Sequence, residues 1–256
     1  MSRKTSLHWV VIPACGFLAA LCGCATMGFN SDKGRTMTYH VKKTPGPMTV
    51  DADWDKPEWQ NAPIAELTHY MGDRPDHSPR TQVRVMYDDQ ALYVIFRVED
   101  RYVLAVARQH DDIVCRDSCV EFFFVPGTDI TKGYFNLEMN CGGTMLFHFQ
   151  IIPRRDSVAL AAEDLAKIQV AHTMPRRVET EITQPTTWVV EYRLPLDILP
   201  KYRKDVARPA PGVTWRANFF KCADNSSHPH WLTWSKVERP RPDFHVPEYF
   251  GTLQFE

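Results

Sequence analysis

Apolar and polar residues alternate with a period of two along most of this chain, a pattern that marks strands rather than helices. In "TQVRVMYDDQALYVIFRVED" (81–100), Val83, Val85 and Tyr87 alternate with Arg84 and Met86. Leu92, Val94, Phe96 and Val98 then alternate with Tyr93, Ile95, Arg97 and Glu99. The "DDQA" between the two runs supplies turn chemistry, so the stretch predicts a hairpin. "SCVEFFFVP" (118–126) predicts a strand closed by Pro126-Gly127. "GYFNLEMN" (133–140), the turn "CGG" and "TMLFHFQII" (144–152) predict a second hairpin. "TMTYHVKK" (36–43), "AELTHYM" (65–71), "TTWVVEYRLP" (186–195), "GVTWRANFFKCAD" (212–224), "HWLTWSK" (230–236) and "YFGTLQFE" (249–256) read as further strands. Short helical turns are expected around Asp55–Asn61, opened by Asp55 and Pro57, and at "LDILP" (196–200). Region 153–183 is the least regular; its "DSVALAAEDLAKI" fits a short amphipathic helix or a loop excursion. About ten short strands with turns every 8–12 residues predict an all-β fold, a single antiparallel β-sandwich of jelly-roll or immunoglobulin-like type with short helical turns.

The N-terminus changes the picture of where this sandwich works. "MSRKTSLHWVVIPACGFLAALCGC" carries Arg3 and Lys4, an apolar run from Leu7 to about Gly23, then Cys24. That is the layout of a secretory signal, too short for a comfortable membrane span. The closing "LCGC" resembles the lipobox of bacterial lipoproteins, which makes Cys24 the expected lipidation site and residues 1–23 a cleaved leader. Residues 24–38 are then a tether, and the protein is expected to be exported and lipid-anchored to the outer membrane, on its periplasmic side or at the cell surface. A net charge of −1 argues against a general electrostatic grip on nucleic acid. Aromatics at 12% and 19 prolines favour strands and loops over helices.

Beyond the anchor lie Cys115, Cys119, Cys141 and Cys222. Export permits disulfides, and four thiols allow three pairings. On one extended strand Cys115 and Cys119 would stand roughly 13 Å apart, beyond the roughly 7 Å between Cα atoms that a disulfide spans, unless the chain turns between them. Cys119 with Cys141 or Cys222 is the competing pairing, and buried free thiols packing as small apolar side chains are the other reading. There is no CxxC and no Cys/His spacing of a zinc site.

The strands themselves carry candidate chemistry. In "SCVEFFFV", Val120, Phe122 and Phe124 point one way, and Cys119, Glu121 and Phe123 the other. "YFNLEMN" sets Tyr134, Asn136, Glu138 and Asn140 against Phe135, Leu137 and Met139; "WRANFFKCAD" sets Arg216, Asn218 and Phe220 against Ala217 and Phe219. If these strands are neighbours, one sheet face gathers Arg, Asn and Glu beside aromatics. Planar polar groups next to flat rings suit a sugar, whose hydroxyl pairs take bidentate hydrogen bonds and whose CH faces stack. The competing reading is a solvated face of ordinary cross-strand pairs, worth roughly 0.2–1 kcal/mol each.

From about Tyr39 to Glu256 the chain resembles a family 9 carbohydrate-binding module, within the broader DOMON-like β-sandwich group. The resemblance is carried by "VDADWDKPEWQNAP", "RVMYDDQALYVIFRVED", "RDSCVEFFFVPG", "GYFNLEMNCGGT", "WVVEYRLPLDIL", "RANFFKCAD" and the closing "PEYFGTLQFE". It implies one domain over 39–256, a non-catalytic sandwich that binds a poly- or oligosaccharide and often works beside a glycoside hydrolase in polysaccharide breakdown. Structural calcium occurs in some members; no other cofactor is implied. Family members clamp the terminal sugar between two tryptophans, whereas "DDIVCR" before Asp117-Ser118 holds no aromatic. Trp231 and Trp234 in "HWLTW" are the candidate platforms, and their spacing puts them on opposite faces of a strand, so that only one serves. Arg97, Glu121, Asn140, Arg216 and Asn218 are the candidate hydrogen-bonding residues.

Two other functions compete. Some DOMON-like sandwiches bind haem b for electron transfer, and Met86, Met139 and His148 are the available ligands, although core packing is the commoner use of methionine. Glu121 and Glu138 could instead face each other as the carboxylates of a retaining glycosidase. His228 and His230 lack a third metal ligand nearby. Asp88-Asp89, Asp111-Asp112 and Asp117 offer oxygens for calcium, though loop acids are commonly just solvated.

Overall fold

The computed structural model describes residues 37–256. The leader, Cys24 and the tether up to residue 36 lie outside the described residues. The first strands are β1 (Thr38–Lys43), β2 (Ala65–Glu66), β3 (His69–Tyr70), β4 (Arg80–Tyr87), β5 (Ala91–Asp100) and β6 (Val103–Ala105). Next come β7 (Cys119–Val125), β8 (Tyr134–Asn140), β9 (Met145–Gln150), β10 (Val158–Ala159), β11 (Gln169–His172) and β12 (Val178–Ile182). The last are β13 (Thr186–Pro195), β14 (Thr214–Cys222), β15 (Trp231–Thr233) and β16 (Gly251–Phe255). One short α-helix, α1 (Ala162–Leu165), and 3₁₀ turns such as Pro57–Asn61 and Leu199–Lys201 complete the described chain. Among the described residues no helix is long and apolar enough to cross a membrane.

Hydrogen bonding joins the strands in the order β10-β9-β8-β7-β14-β16-β1-β4-β5-β13-β11, with β15 beside β14 and β2 beside β4. The path folds into two layers at β1. Thr38–Val41 pair with Thr252–Phe255 of β16, and Lys42 and Lys43 pair with Met86 and Tyr87 of β4. Both of these ladders are parallel, within a β-sandwich whose other pairings are antiparallel as expected from the hairpins. The reason is topological: β1 enters between two strands made later rather than turning back on a neighbour. The expected hairpins β4–β5 and β8–β9 form, as does the long β5–β13 ladder.

The inward residues of both layers make one core. Phe122, Phe124, Phe219 and Trp215 come from the first layer, and Val94, Phe96, Trp188 and Val190 from the second. Phe122 stacks on Phe219 at 5.2 Å, and Phe96 meets Phe219 edge-on at 6.1 Å across the interface. Each ring buried this way contributes about 1.5–3 kcal/mol. The outer faces are covered as well. Met48, Ala52, Trp54 and Trp59 pack over Tyr93 and Ile95 of the second layer. Val237, Phe244, Val246 and Phe250, together with Ala107 and Val114, pack over Phe123, Phe220, Cys119 and Cys222 of the first.

Candidate functional site

Register settles which expected residues share a surface. Across β14, β7 and β8, Cys222, Cys119 and Asn140 form one row, and Phe220, Glu121 and Glu138 the next. Asn218, Phe123 and Asn136 follow, and then Arg216 with Val125. Trp231 on β15 extends the first row through Cys222. The outer face of the first layer therefore gathers Glu121, Asn140, Arg216, Asn218 and Trp231. Arg97 is not among them: it lies on β5 in the other layer, donating to Glu99 at 2.6 Å and Gln82 at 3.2 Å.

Sharing a face does not give access, and burial separates these residues. Asn218 is wholly buried: its amide donates to Thr233 Oγ1 and the Ser235 carbonyl, while its oxygen accepts from the Ser235 and Phe219 amides. Asn140 holds the β8–β9 turn by accepting from the Gly142 and Thr144 amides and donating to Asp117. Arg216 donates to the Phe250 carbonyl. Buried polar groups need local partners, and Asn218 and Asn140 have taken theirs from the fold, whereas Arg216 is half-buried and its Nε has no partner. Trp234 points the other way, 2% exposed in the core, tilted against Phe219 at 5.4 Å.

The covering segment was invisible in the strand pattern. Phe244 stacks on Phe220 at 4.1 Å, and His245 lies 5.1 Å from the Phe123 ring. The Tyr134 hydroxyl and His245 Nδ1 are 2.8 Å apart. Burial, assisted by the Arg154 charge, pushes the His245 imidazole down to about 4. The only signal in "RPRPDFHVP" was an aromatic among prolines, which is too common to act on.

Glu121 and Glu138 are direct cross-strand partners, 2% and 6% exposed. Burial and then the Glu138 charge raise Glu121 well above the usual carboxylate range, and burial lifts Glu138 to about 7. Glu138 accepts from Asn136 Nδ2 at 3.0 Å. Both carboxyls are enclosed, whereas a retaining hydrolase needs its two carboxyls in contact with the substrate.

Trp231 differs from the rest. It is half-buried at the rim of this face, its lower side against the outer cluster, and its Nε1 donates to Asp224 Oδ1 at 2.9 Å. Asp224 is raised from the ordinary aspartate value by burial. The bond fixes the ring's orientation and leaves part of the indole at the surface.

The candidate haem ligands lie in three environments: Met86 beneath the Met48–Ala62 cover, Met139 in the main core, and His148 bonded to Ser157 and Asp111. Of the candidate calcium acids, Asp89 pairs with Lys43 and Asp111 with His148, and the other three are occupied by the backbone. Asp88 caps Gln90 and Ala91, Asp112 caps Arg108 and Gln109, and Asp117 accepts from Val106 and Ala107. His228 stacks on Tyr102 at 3.7 Å, and His230 meets Lys221 at 2.8 Å. The four core-domain cysteines are free thiols.

Two layers, a shared strand and an aromatic rim place the chain among β-sandwich modules. More narrowly, it belongs to carbohydrate-binding family 9, whose sequence profile matches residues 54–255. Among solved structures it is similar to a candidate carbohydrate-binding protein from Bacteroides uniformis, with 26% identity and a TM-score of 0.75 over 86% of this chain and 100% of that one. A family 9 module from Caldicellulosiruptor kristjanssonii, solved with cellotriose and with glucose, shares the fold at 16% identity and a TM-score of 0.58. Those alignments cover 86% of this chain and 94% and 96% of the two neighbours. Comparison with curated proteins gives no match.

Proposed function

We propose that this chain binds a saccharide without cleaving it, at the rim of the first layer's outer face, with Trp231 as the stacking platform. The observation that carries this reading is the half-buried indole of Trp231, held by Asp224 on the face that also bears Glu121 and Glu138. A ring already oriented loses little freedom when a sugar's CH face settles on it, and stacking then adds to affinity directly. The Asp224 carboxylate beside it is a ready acceptor for a sugar hydroxyl. Membership of a carbohydrate-binding family and likeness to modules solved with cellotriose and glucose support the ligand class.

The leader pattern supports a wider setting, in which the module is exported, held at the outer membrane through lipidated Cys24 and a tether, and works alongside glycoside hydrolases. Incorporation of labelled palmitate in wild type and its loss in Cys24→Ala checks the anchor. Calorimetric titration with glucose, cello-oligosaccharides and a panel of plant and algal glycans checks the ligand. Trp231→Ala should weaken binding at least about tenfold, roughly 1.4 kcal/mol. Silence of the wild type across the whole panel would sink the proposal.

A further inference from the structure

Both layers bury glutamate in their outer faces, and Glu191 and Glu121 are treated very differently. Glu191 receives Lys56 at 2.6 Å, the Trp59 indole at 3.0 Å, and the backbone amides of Asp51 and Ala52 at 2.9 and 2.8 Å. Glu121 receives a single thiol: Cys222 Sγ donates to its Oε1 at 3.2 Å. Its Oε2 is buried with no hydrogen-bond partner. An orphaned buried acceptor costs about 1–3 kcal/mol, so this oxygen needs a reason.

Its surroundings suggest one. Cys119 and Cys222 are register partners on β7 and β14, and both side chains emerge beside Glu121. One sulfur from each cysteine and a Glu121 carboxylate oxygen all lie within 4.8 Å of one another, and all three residues are buried. Two sulfurs and an oxygen converging from three strand positions form the donor set of a thiophilic divalent ion, and not of calcium or magnesium, which take oxygens alone. Glu138, opposite Glu121 on β8, is a second carboxyl next to the cluster. No sequence spacing announces such a site, because β14 brings in Cys222 from far along the chain.

We propose that Cys119, Cys222 and Glu121 form a buried site for a thiophilic divalent cation of the Zn²⁺ class, separate from saccharide binding at Trp231. On entry the ion forms two bonds to sulfur and one to the Glu121 oxygen. The two thiol protons, and the carboxyl proton when present, leave to solvent, so no electron transfer is involved. The bound ion gives the Glu121 carboxylate a charged partner and ties β7 to β14 beneath the covering segments.

The test uses the full chain, reduced with a phosphine and stripped with a chelator. Zn²⁺ is added while thermal unfolding is followed, and Cd²⁺ is added in parallel for the ultraviolet thiolate-to-metal band. The expected result is one ion per chain, a rise in Tm with Zn²⁺, and a band of two-thiolate intensity with Cd²⁺. Cys119→Ser and Cys222→Ser should each weaken binding by at least roughly a hundredfold, the upper end of what losing an outer-shell partner costs. Glu121→Gln should weaken it about tenfold while keeping the band, which separates a ligand role from a folding defect. Cys141→Ser should bind like wild type, since its sulfur faces the Leu104 carbonyl instead. Three results would overturn the site: no Zn²⁺ effect on the reduced wild type, unchanged binding in Cys119→Ser, or a Cys119–Cys222 disulfide in the isolated protein.

Discussion

His230 shows how one buried side chain can set the response of the protein to acid. Its Nδ1 donates to the His228 carbonyl at 2.9 Å, so Nε2 is the lone pair that accepts from Lys221 Nζ at 2.8 Å. Asp100 lies 3.6 Å beyond that ammonium, and the His77 ring centroid is 5.7 Å from that of His230. Burial first, and the Lys221 charge second, push His230 from 6.5 down to about 3. Between those values the unfolded chain carries a proton the folded one refuses, so stability falls as pH drops through the window, by about 1.4 kcal/mol per pH unit. Above pH 6.5 this contribution is complete. Urea unfolding of wild type and His230→Asn at pH 6.5 and 4 should show the two stabilities drawing together by about 3 kcal/mol; parallel curves would remove the argument. Glu191 makes a second residue-scale expectation. Glu191→Gln leaves Lys56 with Asp51 alone for a counter-charge, and should cost about 3 kcal/mol by the same measurement. The alternation put Glu121, Asn140, Arg216 and Asn218 on the non-core sides of their strands, but not on one shared face, which the register across β14, β7 and β8 supplies. Nor could the alternation tell that Asn218 and Asn140 are consumed by backbone amides, because three of those partners, Gly142, Thr144 and Ser235, sit outside the strands with no period of their own.

At the scale of elements, β15 and the β8–β9 turn carry the clearest consequences. Three residues of β15 direct Trp231 outward, and the chain just beyond them turns Trp234 inward, so the same substitution should read out differently at the two positions. Trp234→Ala removes a core ring and should cost about 3–5 kcal/mol, with saccharide binding retained at temperatures where the variant is folded. Trp231→Ala should change stability far less and binding far more. In the turn, Gly143 has φ +79°, and a Cβ on Gly142 would lie 2.3 Å from the Arg176 carbonyl oxygen. Gly142→Ala should therefore push the Pro175–Arg176 loop away and lower Tm, which a melt against wild type checks. The long hairpins were readable because each strand has one apolar face. Region 153–183 was not, since β10, β11 and β12 are short edge strands with much of their surface exposed, and exposure erases alternation. The segment that closes the outer face was unreadable for a related reason: it packs through Phe244 and Val246 from irregular backbone.

For the whole molecule, the joining of two layers by β1 makes the sandwich one cooperative unit. Val41, fully buried, pairs with Phe255 on one side and is followed directly by the residues that pair with β4. Val41→Asp would place an unpaired charge at that junction and should destabilise both layers together by about 4 kcal/mol or more. Tryptophan fluorescence and far-ultraviolet circular dichroism should then lose signal in one coincident transition, as two-state domains do. The same junction governs how the protein is made. Thr38 finds its partner at Thr252, so the earliest strand of the sandwich waits for the latest. Such long loop closure slows folding. Until β16 emerges from the ribosome, β1 has only its short contact with β4, and the nascent chain travels with an open edge that a holding chaperone would have to shield.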